Sequence, residues 1–323
     1  MWPHCQALCP SRHPAGRPRL WLDGGVLPAW GPPMSEGFPP RRVRTAGAEI
    51  FLRTGGRGPP LLLLHGYPQT HVIWHRVAPA LARAFTLVCA DLRGYGDSTK
   101  PEGGPAAYAK RVMAQDMVEV MAALGHDRFH LAGHDRGGRV THRLCLDHPE
   151  RVLKAAVLDI VPTRTVFAAT DQALAMGYYH WFFLSQPAPL PERLIGAESL
   201  FYLHAKLGHW SGPKDLRWLD PAALAAYERS FADPAMIRAT CDDYRAAATI
   251  DLEHDAADGE RRIACPLLVL WGEQALMHRS FDVLDAWREK AAGPVTGRPL
   301  ACGHYLPEER PAEVAAELAH FLA

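Results

Sequence analysis

The sequence predicts an α/β fold: a mostly parallel sheet covered by helices on both faces, with an all-helical cap inserted late in the chain. Three observations carry this. Short, continuous apolar runs that end in turn residues recur along the chain (PPLLLLHG, FTLVCADLRG, FHLAGHDRGG, RVLKAAVLDIVP, CPLLVLWGE), the pattern of strands buried on both faces. Stretches with helical spacing separate them, and strand–helix alternation implies parallel pairing. Between Pro162 and about Asp251 the alternation stops, and aromatic residues (YYHWFF, FY, HW, RW) stand in helical surroundings with no convincing strand.

Composition bounds the function. The chain has 323 residues, 48% hydrophobic, enough for a sizeable core in one large domain or two. Thirty-five basic residues balance 35 acidic ones, which argues against holding nucleic acid or an anionic membrane by bulk charge. No apolar run approaches the length of a membrane span. Seven cysteines, an odd number without a CxxC pair, fit a reducing, cytoplasmic setting better than a disulfide framework or a zinc site.

In chain order, residues 1–33 come first. Nine of the 28 prolines lie in the first 40 residues, with three of nine tryptophans and only two acids, Asp23 and Glu36. Neither a strand nor a helix period is present, and no apolar h-region marks a signal peptide. The expectation is a disordered leader, or residues upstream of a true start at Met34. An Arg-rich, acid-poor opening also resembles a transit peptide, but no amphipathic helix follows. VRTAGAEIFLRTGG then reads as a hairpin, PPLLLLHG as a buried strand, and FTLVCADLRGYGDS as another. Ala107 to Leu124 is helical in spacing. Two strands follow, FHLAGH and RVLKAAVLDIV, with Pro162 stopping the second. The late elements are LLVLWG, a helix around Phe281 to Lys290, and a final helix over Pro311 to Leu322. The plan is therefore 34–162 for the first part of the core, 163–250 for the cap and 251–323 for the rest. A helical insertion after a sheet strand reads as a lid over the strands' carboxyl ends, where ligands bind in open α/β folds.

The decisive segment is Gly133-His134-Asp135-Arg136-Gly137-Gly138. It stands between a buried strand and a helix, where α/β-hydrolases place G-x-S-x-G. Here Asp135 replaces the serine. Displacement at saturated carbon by serine would leave an ether, which water does not readily cleave; a carboxylate leaves an ester, which water hydrolyses. Asp135 thus points to dehalogenation or epoxide opening. In this fold the order is nucleophile, acid, histidine, so His304 in GHYLP is the candidate base. For the acid, Glu273 follows one late strand, whereas Asp159 closes the strand VLDIVP, 24 residues past Asp135. Asp159 is preferred, orienting His304 and stabilising its cation. The oxyanion hole should use the backbone N–H groups of Tyr67 and Arg136, each such donor worth roughly 10²–10³ in rate. Arg136 and Arg139 open the helix after the turn. An unpaired guanidinium at the pocket floor would be costly, so the pair is expected to clamp a substrate carboxylate.

Taken together, HGYPQTHVIWHRVAPAL, DLRGYGDS, GHDRGGRV, VLDIVPT, YYHWFF, CDDYRAAATIDLEHD and GHYLPEE resemble the fluoroacetate (haloacetate) dehalogenases of the α/β-hydrolase superfamily. The resemblance runs from about Arg42 to the C-terminus. It implies a cofactor-free, metal-free hydrolase acting on a small anionic haloacetate, working as a homodimer, with Asp135, Asp159 and His304 as its triad and Arg136 and Arg139 as its carboxylate site. It also implies that His180, Trp181 and Tyr244 form the halide pocket. Three donors suit that task, since fluoride leaves only if its hydration is replaced. Tyr67 departs from the pattern, standing where several members carry Phe. The nearest alternative is an epoxide hydrolase, which shares the triad and a lid with tyrosines such as Tyr178, Tyr179 and Tyr244 but usually has an aromatic residue where Arg136 stands. A non-catalytic binding protein on the same fold is a further alternative, set against by the presence of all three triad candidates.

Overall fold

The computed structural model describes residues 37–323, so the expected leader over 1–33 lies outside the described residues. The described strands are β1 (Pro40–Arg44), β2 (Glu49–Gly56), β3 (Pro60–Leu64), β4 (Thr86–Ala90), β5 (Phe129–His134), β6 (Val152–Leu158), β7 (Leu267–Gly272) and β8 (Val295–Leu300). They form one sheet in the order β1-β2-β4-β3-β5-β6-β7-β8. β1 and β2 form the expected hairpin, β2 runs antiparallel to β4, and every later pairing is parallel.

The apolar runs read as two-sided strands because each face of the sheet has its own core. In β3, Leu62 and Leu64 join one cluster and Leu61 and Leu63 the other, as the two-residue pleat requires. Met113, Met117 and Val120 of helix Lys110–Ala123, with Val140 and Leu144 of helix Arg136–Asp147, cover the first face. Val314, Leu318 and Leu322 of helix Pro311–Leu322 cover the second.

Between β6 and β7 the described chain forms eight helices and no strand, from Thr163 to Ala257. The helical run therefore continues about one helix past residue 250, through Ile250–Ala257. Two of its helices start on Asp-Pro: Asp220 and Asp233 cap the free N–H groups of Ala222 and Ala235, and the proline occupies the first helical position. The sequence reading missed β8, and the reason is physical. VTGRPL carries Pro299, which costs a strand one donor and confines it to an edge; β8 is the edge. Gly297 is needed there because a Cβ would fall 1.8 Å from the carbonyl oxygen of Val269.

Candidate active site

The parallel strands bring their carboxyl ends to one edge of the sheet. Leu64 pairs with Gly133, and His134 with Leu158, which in turn pairs with Leu270. Tyr67, Asp135 and Asp159 follow β3, β5 and β6 by one to three residues, so the register alone makes them neighbours. Asp135 and Asp159 both take positive φ, 47° and 52°, a region non-glycine residues seldom occupy and that clusters at functional turns. The turn at Asp135 closes only because glycines flank it. A Cβ on Gly66 would lie 2.4 Å from the Asp135 Cβ, and one on Gly133 would lie 2.3 Å from the Gly137 carbonyl oxygen.

The Tyr67 N–H donates to Asp135 Oδ1 at 2.8 Å. Arg136 begins the next helix, so its N–H has no acceptor within the helix. The other carboxylate oxygen, Oδ2, faces His304 Nε2 at 4.0 Å, too far for a hydrogen bond, and Nε2 is buried without a partner. On the opposite side of the ring, His304 Nδ1 meets Asp159 Oδ2 at 2.6 Å, and Asp159 Oδ1 accepts from the Gly272 N–H at 2.9 Å. The acid that reaches His304 is Asp159; Glu273 is exposed.

Charge follows from these contacts. Burial works against ionising Asp135, but His304, His134, Arg136 and Arg139 outweigh it and hold the carboxyl below its ordinary pKa. Burial likewise opposes a cationic His304, yet the Asp159 hydrogen bond and the charges of Asp159 and Asp135 raise its pKa. His134, whose Nε2 donates to the His304 carbonyl, is pressed down to about 3 chiefly by burial and stays neutral.

One premise of the sequence reading is corrected by the pairing around Arg136. Its guanidinium is not left waiting for a ligand: Nε and Nη2 donate to the Asp243 carboxylate at 3.0 and 2.6 Å, and Nη2 also reaches the Asp243 carbonyl at 2.9 Å. Asp243 in turn accepts from Tyr95 at 2.7 Å and pairs with Lys110, whose backbone N–H meets Asp251. What remains is Nη1 of Arg136, together with Nε and Nη2 of Arg139; all three are buried with no hydrogen-bond partner among the described residues. Among the described residues, Arg139 hydrogen-bonds only through Nη1, to the Val161 carbonyl and the Thr163 hydroxyl. Burial and the neighbouring Arg136 lower its pKa, Asp135 offsetting part of this. An anion placed against these nitrogens would relieve that strain.

The insertion supplies the facing wall. Tyr244 follows Asp243 directly and lies under the Arg136 guanidinium, 4.3 Å from it, while Trp181 lies 4.5 Å under that of Arg139. The His180 and Trp181 rings stand 5.4 and 6.2 Å from that of Tyr244. His180 Nδ1 and the Tyr244 hydroxyl are buried without partners. Burial and the surrounding cations keep His180 well below its ordinary pKa, hence neutral with one ring N–H. The Tyr67 ring packs against both Tyr244 and His180, with its hydroxyl beside that of Tyr202. All nine residues expected from the sequence, Tyr67 through its backbone N–H, thus surround one buried site. Asp243, Lys110 and Trp210, whose ring lies 4.4 Å from His180 and 5.5 Å from His304, were missed. Asp243 had one available signal, an acid adjoining Tyr244 in a lid motif; Lys110 had none.

Residues 59–311 match the family model described as the alpha/beta hydrolase fold. The chain belongs to the α/β-hydrolase family. Among curated relatives, it is 47% identical over 292 residues to the fluoroacetate dehalogenase of a Burkholderia species, covering 90% of this chain and 95% of that one. It is 33% identical to the soluble epoxide hydrolase of Corynebacterium sp. strain C12, over 86% of this chain and 94% of the relative. Among solved structures, an assigned α/β hydrolase from Nostoc sp PCC 7120 superposes with a TM-score of 0.87 at 56% identity, covering 88% of this chain and 98% of the other.

Proposed function

We propose that this α/β-hydrolase cleaves the carbon–halogen bond of small haloacetates, fluoroacetate included, giving glycolate and halide. The observation that carries the reading is the placement of Asp135: an anionic carboxylate with one oxygen held by the Tyr67 N–H and the other turned towards the His304 ring. The likeness to a fluoroacetate dehalogenase supports the same chemistry.

The substrate carboxylate sits against Arg136 Nη1 and Arg139 Nε and Nη2, which turns its α-carbon towards Asp135. Oδ2 attacks in line; its lone pair forms the O–C bond while the carbon–halogen pair leaves with the halide. His180, Trp181 and Tyr244 receive that anion with N–H and O–H donors. Alkylation removes the Asp135 charge, one of the influences that keep His304 protonated, and so returns the ring towards its neutral, basic form. His304 Nε2 then takes a proton from water as the water adds to the Asp135 carboxyl carbon. The resulting oxyanion is met by the Tyr67 and Arg136 N–H groups; its collapse breaks the ester C–O bond, and the departing alkoxide oxygen takes the proton back from His304 Nε2 as glycolate leaves.

Turnover in ¹⁸O-water tests this. Label should enter Asp135 in the first round and glycolate in the next; glycolate labelled in the first round, with Asp135 never labelled, would mean direct attack by water. The epoxide-hydrolase alternative is favoured by the likeness to a soluble epoxide hydrolase and by the buried Tyr244 hydroxyl, which has no partner among the described residues and could protonate an epoxide oxygen. Diol from styrene oxide without halide from fluoroacetate would decide for it. We also propose a cytoplasmic homodimer that needs no nucleic acid or membrane. Supporting this are the free thiols of the described cysteines and the apolar side chains exposed on the insertion, Leu190, Leu194, Leu200 and Phe201. Sedimentation as a monomer at micromolar concentration would count against the dimer.

A further inference from the structure

Beside the triad, a cleft of about 190 Å³ opens to solvent. Its inner end is formed by Asp159, His304, Tyr178 and Trp210, and its mouth by His209, Lys214, Gln274 and Arg279. The charge at the mouth has one sign. Among the described residues, neither Lys214 nor Arg279 forms an ion pair; the Lys214 ammonium donates to the His209 carbonyl at 2.9 Å. Glu309, the carboxylate whose charge acts on Lys214, has its oxygens taken up by backbone donors: Oε2 accepts the Gly212 and Gly303 N–H groups and Oε1 that of Tyr305. Lys214 stands at φ 62°, a backbone state that is strained for a side chain of this kind and needs its surroundings to hold it.

Behind the mouth lies a third basic group, Lys206, whose pKa burial lowers to about 7, so that it carries its charge in only part of the molecules at neutral pH. Lys206 is 2% exposed and has no carboxylate partner among the described residues; its ammonium lies 3.5 Å from the centre of the Tyr179 ring and 5.0 Å from that of Trp210. Besides burial, the charges of Lys214, Lys206 and Arg279 all press the His209 pKa down. Like charges gathered in a concave, low-dielectric opening focus a positive field along it.

We propose that this cleft is a collecting port for small monocarboxylate anions, with Lys214 and Arg279 gathering the substrate at the mouth and Lys206 extending the field towards His304. The inference rests on the haloacetate reading for the identity of the anion.

Charge reversal tests it. In Lys214→Glu/Arg279→Glu, kcat/KM for fluoroacetate at low ionic strength should fall about tenfold, with kcat unchanged within about twofold. The doubly neutral Lys214→Gln/Arg279→Gln should fall between, and added non-halide salt should erase the differences. Iodide quenching of Trp210 fluorescence, isolated by subtracting Trp210→Phe counterparts, reads the port without turnover. The reversed variant should lose about threefold in iodide quenching while quenching by neutral acrylamide stays the same. If the wild type releases no halide yet iodide quenching follows the rim charge, the reaction assignment fails and the port stands. If halide is released and both kcat/KM and iodide quenching ignore the rim charge, the port is overturned and the reaction stands. Equal losses in neutral and reversed variants, with kcat falling too, would also overturn it.

Discussion

The two walls of the site are built on opposite rules. On the sheet edge the polar groups largely satisfy one another: Asp159 joins His304 Nδ1 to the Gly272 N–H, Tyr67 N–H holds Asp135 Oδ1, and His134 Nε2 holds the His304 carbonyl. Facing the insertion, buried polar atoms are left over: among the described residues, Arg136 Nη1, Arg139 Nε and Nη2, His180 Nδ1 and the Tyr244 hydroxyl have no partner. Buried polar atoms without partners are costly, and a wall that collects five of them is suited to something that arrives. In the proposed reaction the sheet edge is the preorganised reacting group and the insertion side receives the anion. Asp243 joins them, since it sits beside Tyr244 on helix Pro234–Ala248 yet fixes Arg136 on the core.

The division can be broken most sharply at His304. If the sheet edge carries the chemistry, His304→Ala should still be alkylated and then stall. Turnover should drop by about 10⁴, while one equivalent of halide per chain appears in a burst and the added mass stays on the peptide containing Asp135. No burst would place His304 before the displacement and dissolve the distinction.

The receptor wall predicts a smaller loss with a different signature. Arg139→Lys keeps the charge but not the fork, and two of its guanidinium nitrogens are free to bind. Losing them should lower kcat/KM by about 10²-fold, mostly through KM, with the Asp135 ester still hydrolysed at the wild-type rate. Smaller again is Tyr244→Phe. Its hydroxyl has no partner to lose, so stability should hold, while halide release slows about tenfold for fluoroacetate and less for bromoacetate, whose leaving group needs less solvation. Equal slowing for both halides would remove Tyr244 from the halide site.

The same division explains what could be read from sequence. Strand-end residues announce themselves because local rules force them: a buried apolar run, a glycine turn, then the reactive group at the carboxyl edge. Asp135 and Asp159 were readable as candidates that way, and the fold with them; His304 was named instead from GHYLP and its place after the acid in the chain order. The receptor wall depends on long-range packing. Asp243 lies 107 residues from Arg136, and no local pattern says that a carboxylate from the insertion will occupy a guanidinium in the core. His180, Trp181 and Tyr244 could be named through resemblance, since aromatic residues at helical spacing otherwise read as ordinary packing. The strand β8 was hidden for the opposite reason, its glycine and proline being turn signals that an edge strand tolerates.

The least disruptive test concerns how the two walls are held together. Glu308, on the short helix after His304, places its carboxylate between the Gln69 amide of the loop following Tyr67 and the Tyr227 hydroxyl of helix Pro221–Phe231 in the insertion. Burial raises its pKa to about 8, against the lowering effects of the Tyr227 and Gln69 hydrogen bonds and the Arg76 charge. A folded-state pKa above the unfolded value of 4.5 means that the folded protein holds this proton more tightly. Its stabilising contribution is complete below pH 4.5 and is lost as pH rises towards 8, the folded pKa. Glu308→Gln carries no such proton. Its melting temperature relative to wild type should therefore rise by a few degrees between pH 5 and pH 8 and level off above. A difference that stays flat across that range would mean that Glu308 is already ionised, and that the walls are joined by a charged group rather than a neutral one.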